Sequence, residues 1–377
     1  MDTSQDLEPQ VWKTLLLTKT INLNNLDVEK SWQNFYDFTE LCEEYLSEVD
    51  DYSKLHFDIV YWSEGTLFFI NNKWWPEAIH NFCSKHNFPI ENITFKTSCF
   101  VLKESYKKWK NIYRPNDKSF NIKTRSFGLN LYKTKIKTEN FKQRKYKFNC
   151  LNGRMVGARQ VFMLGLWQNK LLTKDVLQDN IVSFHYHKND FEWDIEGIDI
   201  PEELNNICPI EFDIKNNSNN YFDGAERKLY ENSFCQFGDY SNIYNNSYVS
   251  IVTDACETTL ISNLLPKEDN FGRNEYLNEF YDEMFISEKT SRPILNLHPF
   301  IIFGTNNILS TLRDLGFETF GDFWDENYDT DLHNKLDIIC KNMHQINEMS
   351  LDELDTMYNK MLPILNHNRN LLISKKF

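Results

Sequence analysis

The sequence predicts an α/β protein built from two Rossmann-like domains, with helices at its C-terminal end. Short apolar runs with strand character alternate with amphipathic segments, as in parallel sheets covered by helices. The 377 residues correspond to about two domains at roughly 150 residues each. A composition with 41% hydrophobic and 15% aromatic residues excludes disorder over the whole chain.

Residues 1–144 are predicted to form the N-terminal domain. Apolar and aromatic residues recur at helical spacing over residues 28–49, which predicts an amphipathic helix. The apolar run at 55–61 predicts a strand, and residues 66–70 and 77–86 follow as a second strand and a helix. This alternation indicates a parallel sheet covered on both faces.

Residues 145–347 are predicted to form a C-terminal domain of the same class. Its strands and helices alternate, apart from an Asn-rich, acidic stretch at 192–247 that we expect to be irregular. In chain order the predicted elements are a strand at 145–152, a helix at 161–172, strands at 181–184, 248–253 and 299–303, and helices at 307–316 and 331–346. A last helix at 351–373 lies in the segment 348–377, which is expected to pack back across the domains.

Charge is distributed unevenly along the chain. The net charge is −14, but residues 101–150 carry +12, so the remaining residues carry −26. The acidic total argues against extensive non-specific binding to DNA. The basic segment 101–150 is interleaved with aromatic residues and is a possible surface for an anionic acceptor. A solvated lysine face is the simpler explanation in a chain this rich in lysine.

Several classes of protein are excluded by what the sequence lacks. No apolar stretch approaches the roughly 18 to 20 residues of a membrane span, and the acidic first nine residues do not resemble a signal peptide. We therefore expect a cytoplasmic protein without a membrane span. The eight cysteines include no C-x-x-C pair and no Cys/His cluster at zinc spacing, so we expect reduced, mostly buried thiols and no structural metal site.

The segment Asn152-Gly-Arg-Met-Val-Gly-Ala-Arg159 lies where a predicted strand leads into a helix. Backbone N–H groups at a helix start bind anions, and the guanidinium groups of Arg154 and Arg159 suit phosphate. The segment matches neither common glycine-rich phosphate loop. Turn glycines and solvated arginines explain the same residues equally well.

A second candidate segment is Ser287-Glu-Lys-Thr290. Ser287 is a suitable N-cap, which places Glu288, Lys289 and Thr290 in the first turn of a helix. A lysine there opposes the helix dipole unless an anion is near. A carboxylate for ribose hydroxyls beside an ammonium for a phosphate explains both charged residues, and a surface ion pair is the plainer alternative.

These residues, followed by an apolar strand and by the runs at 312–320 and 324–329, resemble a known family. The chain over residues 145–345 is similar to the C-terminal half of fucosyltransferase-like glycosyltransferases with the GT-B fold, especially a group from phages and AT-rich microbes. The resemblance implies two Rossmann-like domains that face a cleft. It implies that a nucleotide-sugar donor binds the C-terminal domain, and that the acceptor binds the N-terminal one.

The resemblance also implies roles for individual residues. Glu288 is expected to bind the donor's ribose and Lys289 its diphosphate. Arg154 or Arg159 is expected to contact phosphate. The segment at 248–258 resembles the preceding strand and loop of the family, which places Asp254 and Glu257 near the donor. Ser287 and Thr290 flank the Glu-Lys pair and complete the predicted donor site.

Glycosyl transfer needs stabilisation of the leaving diphosphate and, usually, a carboxylate that deprotonates the acceptor. Arg154, Arg159 and Lys289 could stabilise the diphosphate, so we expect metal-independent chemistry and no cofactor besides the nucleotide-sugar co-substrate. Glu64 follows a predicted strand and is a better candidate base than Asp58, although a turn residue explains it more simply. The D-x-D pattern at 329–331 fits an N-cap of the helix at 331–346.

Other interpretations of the same residues remain. His298 either lies near the donor or is a packed, hydrogen-bonded core residue. The acceptor is a glycan or another hydroxyl compound, and one alternative is hydroxymethylated bases of phage DNA. The other alternative is a non-catalytic module of the same fold that binds a glycan or a nucleotide.

Overall fold

We describe the fold from a computed structural model of the chain. It describes residues 17–22, 42–47, 51–52, 55–61, 69–70, 73–97, 102–124, 129, 144–152, 157–184, 201–207, 210, 241–254, 286–331 and 334–375. Within these ranges the protein is a mixed α/β structure with two parallel four-stranded sheets. The described residues belong to two compact units.

Among its described residues, the first unit contains six strands and two long helices. The strands are β1 (Leu17–Asn22), β2 (Leu55–Tyr61), β3 (Phe69–Ile70), β4 (Lys73–Trp74), β5 (Ile93–Thr97) and β6 (Asn121–Thr124). The helices are α1 (Trp75–His86) and α2 (Leu102–Tyr113). The predicted strand at 55–61 and helix at 77–86 are confirmed, although α1 begins two residues earlier. Pro76 is tolerated there because the first turn of a helix needs no N–H donor.

The sheet of the first unit has the order β1-β2-β5-β6 with every pair parallel. Burial alternates along β2 and β5: Phe57 and Phe95 are fully buried, whereas the neighbouring Asp58 and Lys96 are partly exposed and form an ion pair. Right-handed crossovers between successive strands put α1 and α2 on the same face. That the opposite face of this sheet is also covered stays a prediction.

The second unit contains four described strands and eight helices. The strands are β7 (Tyr146–Asn152), β8 (Ile181–Phe184), β9 (Ser247–Thr253) and β10 (Phe300–Phe303). The helices are α3 (Gly157–Gln168), α4 (Lys174–Asp179), α5 (Glu202–Ile207), α6 (Ser241–Asn246), α7 (Glu288–Leu295), α8 (Ile308–Asp314), α9 (Lys335–Glu348) and α10 (Leu351–Ser374). All four predicted strands are confirmed to within one residue. The predicted helix at 161–172 begins and ends four residues earlier, as α3.

The sheet of the second unit has the order β10-β9-β7-β8, again all parallel. The chain runs from β7 outward to β8 and then returns to the opposite side of β7 for β9 and β10. The order of the sheet therefore reverses between β7 and β9. Every residue of β8, β9 and β10 is buried, so both faces of these strands are covered.

The last helix, α10, is fixed to the second unit. It starts at a capping box, in which Ser350 and Glu353 bond each other's backbone N–H groups. The guanidinium of Arg144, which is 2% exposed, lies 3.8 Å from the ring centre of Tyr358. The Tyr358 hydroxyl donates to the carbonyl of Leu297 at 2.8 Å. None of the helices within the described ranges is both long and apolar enough to cross a bilayer.

Candidate functional site

The sequence-predicted donor residues that the structure describes lie around the carboxyl edge of the second sheet. The reversal between β7 and β9 is at this edge, and open α/β sheets bind ligands outside the carboxyl ends of the strands at such a point. Asn152 ends β7 and Thr253 ends β9, and the Thr253 hydroxyl donates to the Asn152 side-chain carbonyl. Both side chains are buried, so this hydrogen bond ties the two strands together at the reversal.

Asp254, directly after β9, is joined to the start of α7. Its carboxylate oxygen Oδ2 accepts hydrogen bonds from the Ser287 backbone N–H at 3.2 Å and from the Thr290 hydroxyl at 2.9 Å. Ser287 caps the helix as predicted, because its Oγ accepts the Lys289 N–H at 3.1 Å. Asp254, Ser287 and Thr290 are all buried. They form a brace that fixes the first turn of α7 against β9, and their contact with a donor stays a prediction.

The brace changes the interpretation of Lys289, whose position in a first helical turn suggested a bound anion. A lysine in a first helical turn calls for a nearby anion. The carboxylate of Asp254 lies at the start of α7, and that of Glu288 lies in its first turn. The protein thus supplies negative charge at this helix start from its own side chains. The position of Lys289 by itself no longer requires a bound ligand.

Glu288, Lys289 and Arg292 form a charged cluster on α7. Glu288 Oε1 lies 3.1 Å from Lys289 Nζ and 3.3 Å from Arg292 Nη2. Burial raises the pKa of Glu288, but the charges of Lys289 and Arg292 outweigh burial and hold that pKa below its ordinary value. Glu288 is therefore ionised at neutral pH. The spacing of four residues between Glu288 and Arg292 places both on one face of the helix, a signal that the sequence interpretation did not use.

Arg159 lies in the first turn of α3, which begins at Gly157. Its side chain is 6% exposed, so the interpretation of Arg159 as a solvated surface residue is wrong. Burial raises the pKa of Cys150 on β7 to about 12, and the nearby charge of Arg159 opposes that rise. Arg159 is thus a buried cation close to β7. Its contact with phosphate stays a prediction.

Lys335 is a buried cation that the sequence interpretation missed. It is the first residue of α9, and its Nζ donates to the carbonyl of Gly304 at 2.9 Å, directly after β10. A Cβ on Gly304 would lie 3.2 Å from Cβ of Asp254, so these two backbones approach closely. Lys335 therefore supports the chain next to the brace. A lysine in the first turn of a helix was the signal that pointed to Lys289, and the same signal could have identified Lys335.

Three predicted site residues lie outside the described residues. They are the candidate base Glu64, the candidate phosphate ligand Arg154 and the candidate donor ligand Glu257. Asp58, the other candidate base, is described, and it pairs with Lys96 on the neighbouring strand. Within the described ranges, no group of three or more His, Cys, Asp or Glu side chains could hold a metal ion.

The two aspartates of the D-x-D pattern at 329–331 bond to backbone N–H groups near the starts of two different helices, α8 and α9. Asp329 is 1% exposed and accepts the backbone N–H groups of Leu309 and Ser310 at 2.8 and 3.0 Å, so it caps α8. Asp329 therefore has the capping role expected of this pattern, but at α8 and not at the following helix. Asp331 does lie at that later start, where it accepts the Asn334 N–H at 3.1 Å. The pattern has a structural role here.

The other residues behind the family resemblance also bond within the fold. Glu326 accepts the Phe320 N–H at 2.7 Å and the Thr319 hydroxyl at 2.8 Å, and Arg313 donates to it at 3.1 Å. Burial raises the pKa of Glu326 above its ordinary value. These bonds fix the turn between α8 and α9. Glu326, Thr319 and Arg313, from the runs at 312–320 and 324–329, thus have a structural role in this unit.

His298 is a packed core residue, one of the two roles considered for it. It is fully buried, its Nδ1 lies 2.8 Å from the Ser250 hydroxyl, and its Nε2 lies 2.6 Å from the Ser247 carbonyl. A carbonyl only accepts, so Nε2 carries the proton and Nδ1 accepts from Ser250. Burial, aided by the charge of Arg144, lowers the pKa of His298 to about 3. Phe300, two residues further along the chain, is also buried.

The basic segment 101–150 is described in part, and α2 is its most regular portion. Leu102, Ser105, Tyr106 and Trp109 form the buried stripe of this helix. Lys103, Lys107 and Lys108 lie on its exposed side. The last turn ends with Ile112 and Tyr113, which are 57% and 45% exposed. This end of α2 thus combines exposed lysines with two exposed apolar side chains.

Comparison with known proteins yields little. No family model matches the chain, and no curated protein matches it. One similar solved structure is described as "Crystal structure of GtfA/B complex"; the likeness covers 84% of this chain and 52% of that chain, at 9% identity and a TM-score of 0.32. The chain thus spans about half the length of that protein. A TM-score this low does not indicate a common fold.

Proposed function

We propose that this protein is a glycosyltransferase of the GT-B type that moves a sugar from a nucleotide-diphosphate donor to a hydroxyl group of its acceptor. The observation that carries the proposal is the charged cluster Glu288, Lys289 and Arg292 at the carboxyl edge of a doubly wound sheet. The cluster is joined through Asp254 to β9, one of the two strands at the reversal. Phosphate-containing ligands bind at this place in such sheets.

The chemistry of the cluster suits a nucleotide diphosphate. Lys289 supplies a positive charge for the leaving diphosphate, and its ammonium lies beside Glu288 on α7. The carboxylate of Glu288 can accept hydrogen bonds from ribose hydroxyls. Arg154 and Arg159 are further proposed phosphate ligands, and Glu257 a further donor ligand. Side-chain cations at the diphosphate support the proposal that transfer proceeds without a metal.

The proposed reaction exchanges one bond at the anomeric carbon and moves one proton. The acceptor oxygen bonds to the anomeric carbon of the sugar while the bond from that carbon to the diphosphate oxygen breaks. Glu64 is the proposed base that takes the acceptor's hydroxyl proton, and the nucleoside diphosphate leaves with the electron pair. The cations stabilise the charge that develops on the leaving oxygen, where fixed charges lower a barrier most effectively.

The donor part of the proposal is tested by ligand binding. GDP-, UDP-, CMP- and dTDP-sugars are screened for thermal stabilisation, since a ligand at 100 times its dissociation constant adds about 2.7 kcal/mol. Calorimetry follows on GDP, UDP and dTDP, and on CMP for the CMP-sugars, with Lys289→Met as the test variant and Lys341→Met, exposed on α9, as the control. The proposal predicts binding that Lys289→Met weakens and Lys341→Met preserves. If the intact, folded protein binds none of these nucleotides, the proposal is wrong.

For the acceptor, we propose an anionic glycan that contacts the exposed lysines of α2. The test replaces Lys103, Lys107 and Lys108 by Gln and compares this variant with Gln at the exposed Lys174, Lys341 and Lys360 of the second unit. Only the first variant is expected to weaken binding to a sulfated or uronic-acid oligosaccharide. Binding to duplex DNA that falls steeply with salt would instead favour a modified-base acceptor.

A further inference from the structure

One carboxylate oxygen holds two cations at the start of α7. Glu288 Oε1 contacts Lys289 Nζ at 3.1 Å and Arg292 Nη2 at 3.3 Å. The three side chains are 18% to 21% exposed, so the cluster is largely desolvated but can still be reached from solvent. Arg292 lies one helical turn after Glu288, and side chains of a helix lean toward its N-terminus. Arg292 therefore brings its charge back to the first turn.

The backbone of this helix start is already engaged. The N–H groups of Ser287, Lys289 and Thr290 donate to Asp254, to the Ser287 hydroxyl oxygen and to the Ser287 carbonyl, respectively. An incoming anion would therefore meet the side chains of Lys289 and Arg292 first. The three side chains of the cluster carry a net charge of +1, with Glu288 as the shared counter-ion.

We propose that Arg292 is a second diphosphate-binding residue, and that a bound diphosphate replaces Glu288 as the counter-ion of Lys289 and Arg292. The released carboxylate of Glu288 then accepts hydrogen bonds from the ribose hydroxyls of the same ligand. This inference rests on the proposed function and deepens it. It gives a role to Arg292, which the sequence interpretation did not consider. Glu288 pairs with Lys289 and Arg292 before the ligand binds and with the ribose hydroxyls afterwards.

The physical basis is an exchange of ion pairs in a partly desolvated place. A diphosphate has more negative charge and more acceptor oxygens than one carboxylate, so it is the stronger partner for two cations. A carboxylate that loses both cations needs new donors, because an unsatisfied charged group in such surroundings is costly. Ribose hydroxyls supply those donors. Phosphate binding and hydroxyl binding are therefore coupled through Glu288.

The experiment compares pyrophosphate, GDP, UDP, CDP, dTDP and 2′-deoxy-GDP by calorimetry. The proteins are the parent, Glu288→Gln, Arg292→Gln, Arg292→Lys and the control Lys341→Gln. Far-UV circular dichroism and thermal melts establish that each variant is folded. Lys341 is exposed on α9, so its substitution removes one positive charge away from α7.

The variants are expected to separate the two halves of the proposal. Glu288→Gln removes the competing charge, so this variant should bind pyrophosphate more tightly. The dissociation constant should fall about tenfold, which corresponds to about 1.4 kcal/mol. The parent is expected to bind GDP more tightly than 2′-deoxy-GDP, and Glu288→Gln should lose this preference. Arg292→Gln should weaken pyrophosphate and nucleoside diphosphates alike, by about tenfold or more, and Arg292→Lys should restore part of the loss. Lys341→Gln should match the parent.

The outcomes that overturn this inference differ from those that overturn the proposed function. If the parent binds a nucleoside diphosphate and Arg292→Gln binds it equally well, Arg292 is not a ligand and the function stands. Unchanged or weaker pyrophosphate binding by Glu288→Gln would refute the exchange. If the parent binds pyrophosphate, Glu288→Gln tightens it and no nucleotide binds better than pyrophosphate, the exchange stands and the nucleotide-sugar function fails.

Discussion

The buried carboxylate of Asp254 accepts a hydrogen bond of 2.9 Å from the hydroxyl of Thr290, 36 residues further along the chain. The same carboxylate accepts the backbone N–H of Ser287. Together these bonds fix the helix that carries Glu288 and Lys289 to the end of β9. Asp254, Ser287 and Thr290 therefore bond to one another, and these bonds hold Glu288 and Lys289 in place next to β9.

The first prediction concerns this brace. Thr290→Val keeps the shape of the side chain but removes the donor to a buried charge, so it should lower the free energy of unfolding by about 2 kcal/mol. In a double-mutant cycle with Asp254→Ala, the two losses should be less than additive by about 1 kcal/mol or more. Urea denaturation measures both. Thr356→Val, exposed on α10, is the control and should change stability by less than about 0.5 kcal/mol. Additive losses would show that the hydrogen bond does not contribute.

The second prediction concerns the two ends of α8. Asp329 accepts two backbone N–H groups at its start, so Asp329→Ala should lower the free energy of unfolding by about 2 kcal/mol. Asp314 is exposed at the C-terminal end of the same helix, where a negative charge opposes the helix dipole. Asp314→Asn should therefore raise stability by about 0.5 kcal/mol. Denaturation curves of both variants measure these changes. If both substitutions changed the free energy of unfolding in the same direction, the prediction would be wrong.

The third prediction is a dependence of stability on pH through His298. Its pKa in the folded protein is about 3, below the roughly 6.5 of an unfolded chain, so the unfolded state binds the proton first. The contribution is complete above pH 6.5 and is lost as the pH falls from there toward 3. Between pH 7 and pH 5 the loss should be about 2 kcal/mol.

A His298→Asn variant isolates this contribution. The drop in the free energy of unfolding between pH 7 and pH 5 should be smaller in His298→Asn than in the parent by about 2 kcal/mol. Ile301→Val, a truncation in the buried β10, destabilises without a titratable group and should keep the parent's dependence on pH. An identical pH dependence in His298→Asn and the parent would show that this histidine is not held neutral.

The fourth prediction concerns the contact between α3 and α9. A Cβ on Gly165 would lie 2.2 Å from Leu336 Cδ2, so the two helices pack against each other through this glycine. Gly to Ala in a helix interior is ordinarily stabilising by about 1 kcal/mol. Here Gly165→Ala should stabilise less than that, because the Leu336 side chain must move. In a Leu336→Ala background the same substitution should stabilise more than in the parent, and denaturation of all four proteins measures the difference.

Some features of the site follow from the sequence because they depend on neighbours within one turn. The N-cap role of Ser287 was predicted, since the bond from the Lys289 N–H to the Ser287 hydroxyl oxygen spans two residues. The four strands of the second unit were predicted for a similar reason. Continuous apolar runs are typical of strands buried on both faces, and β8, β9 and β10 are buried at every position.

Other features were wrong or missed because their partners are distant in the chain. Asn307 precedes α8 and is a residue type that caps helices, but its φ of 61° is left-handed and its side chain makes no cap. Asp329 caps α8 from 20 residues away instead. The start of α3 was misplaced because Arg159 and Gln160, which are polar, are buried in its first turn.

By itself, the sequence determined the α/β class, the strands of the second sheet and the cap that starts α7. Each of these depends on the order of apolar residues or on a bond within one helical turn. Only the tertiary structure decided the partners of Asp254, Asp329 and His298. Each of those side chains is buried, and a buried polar group bonds whatever donor or acceptor the packing of distant segments brings next to it.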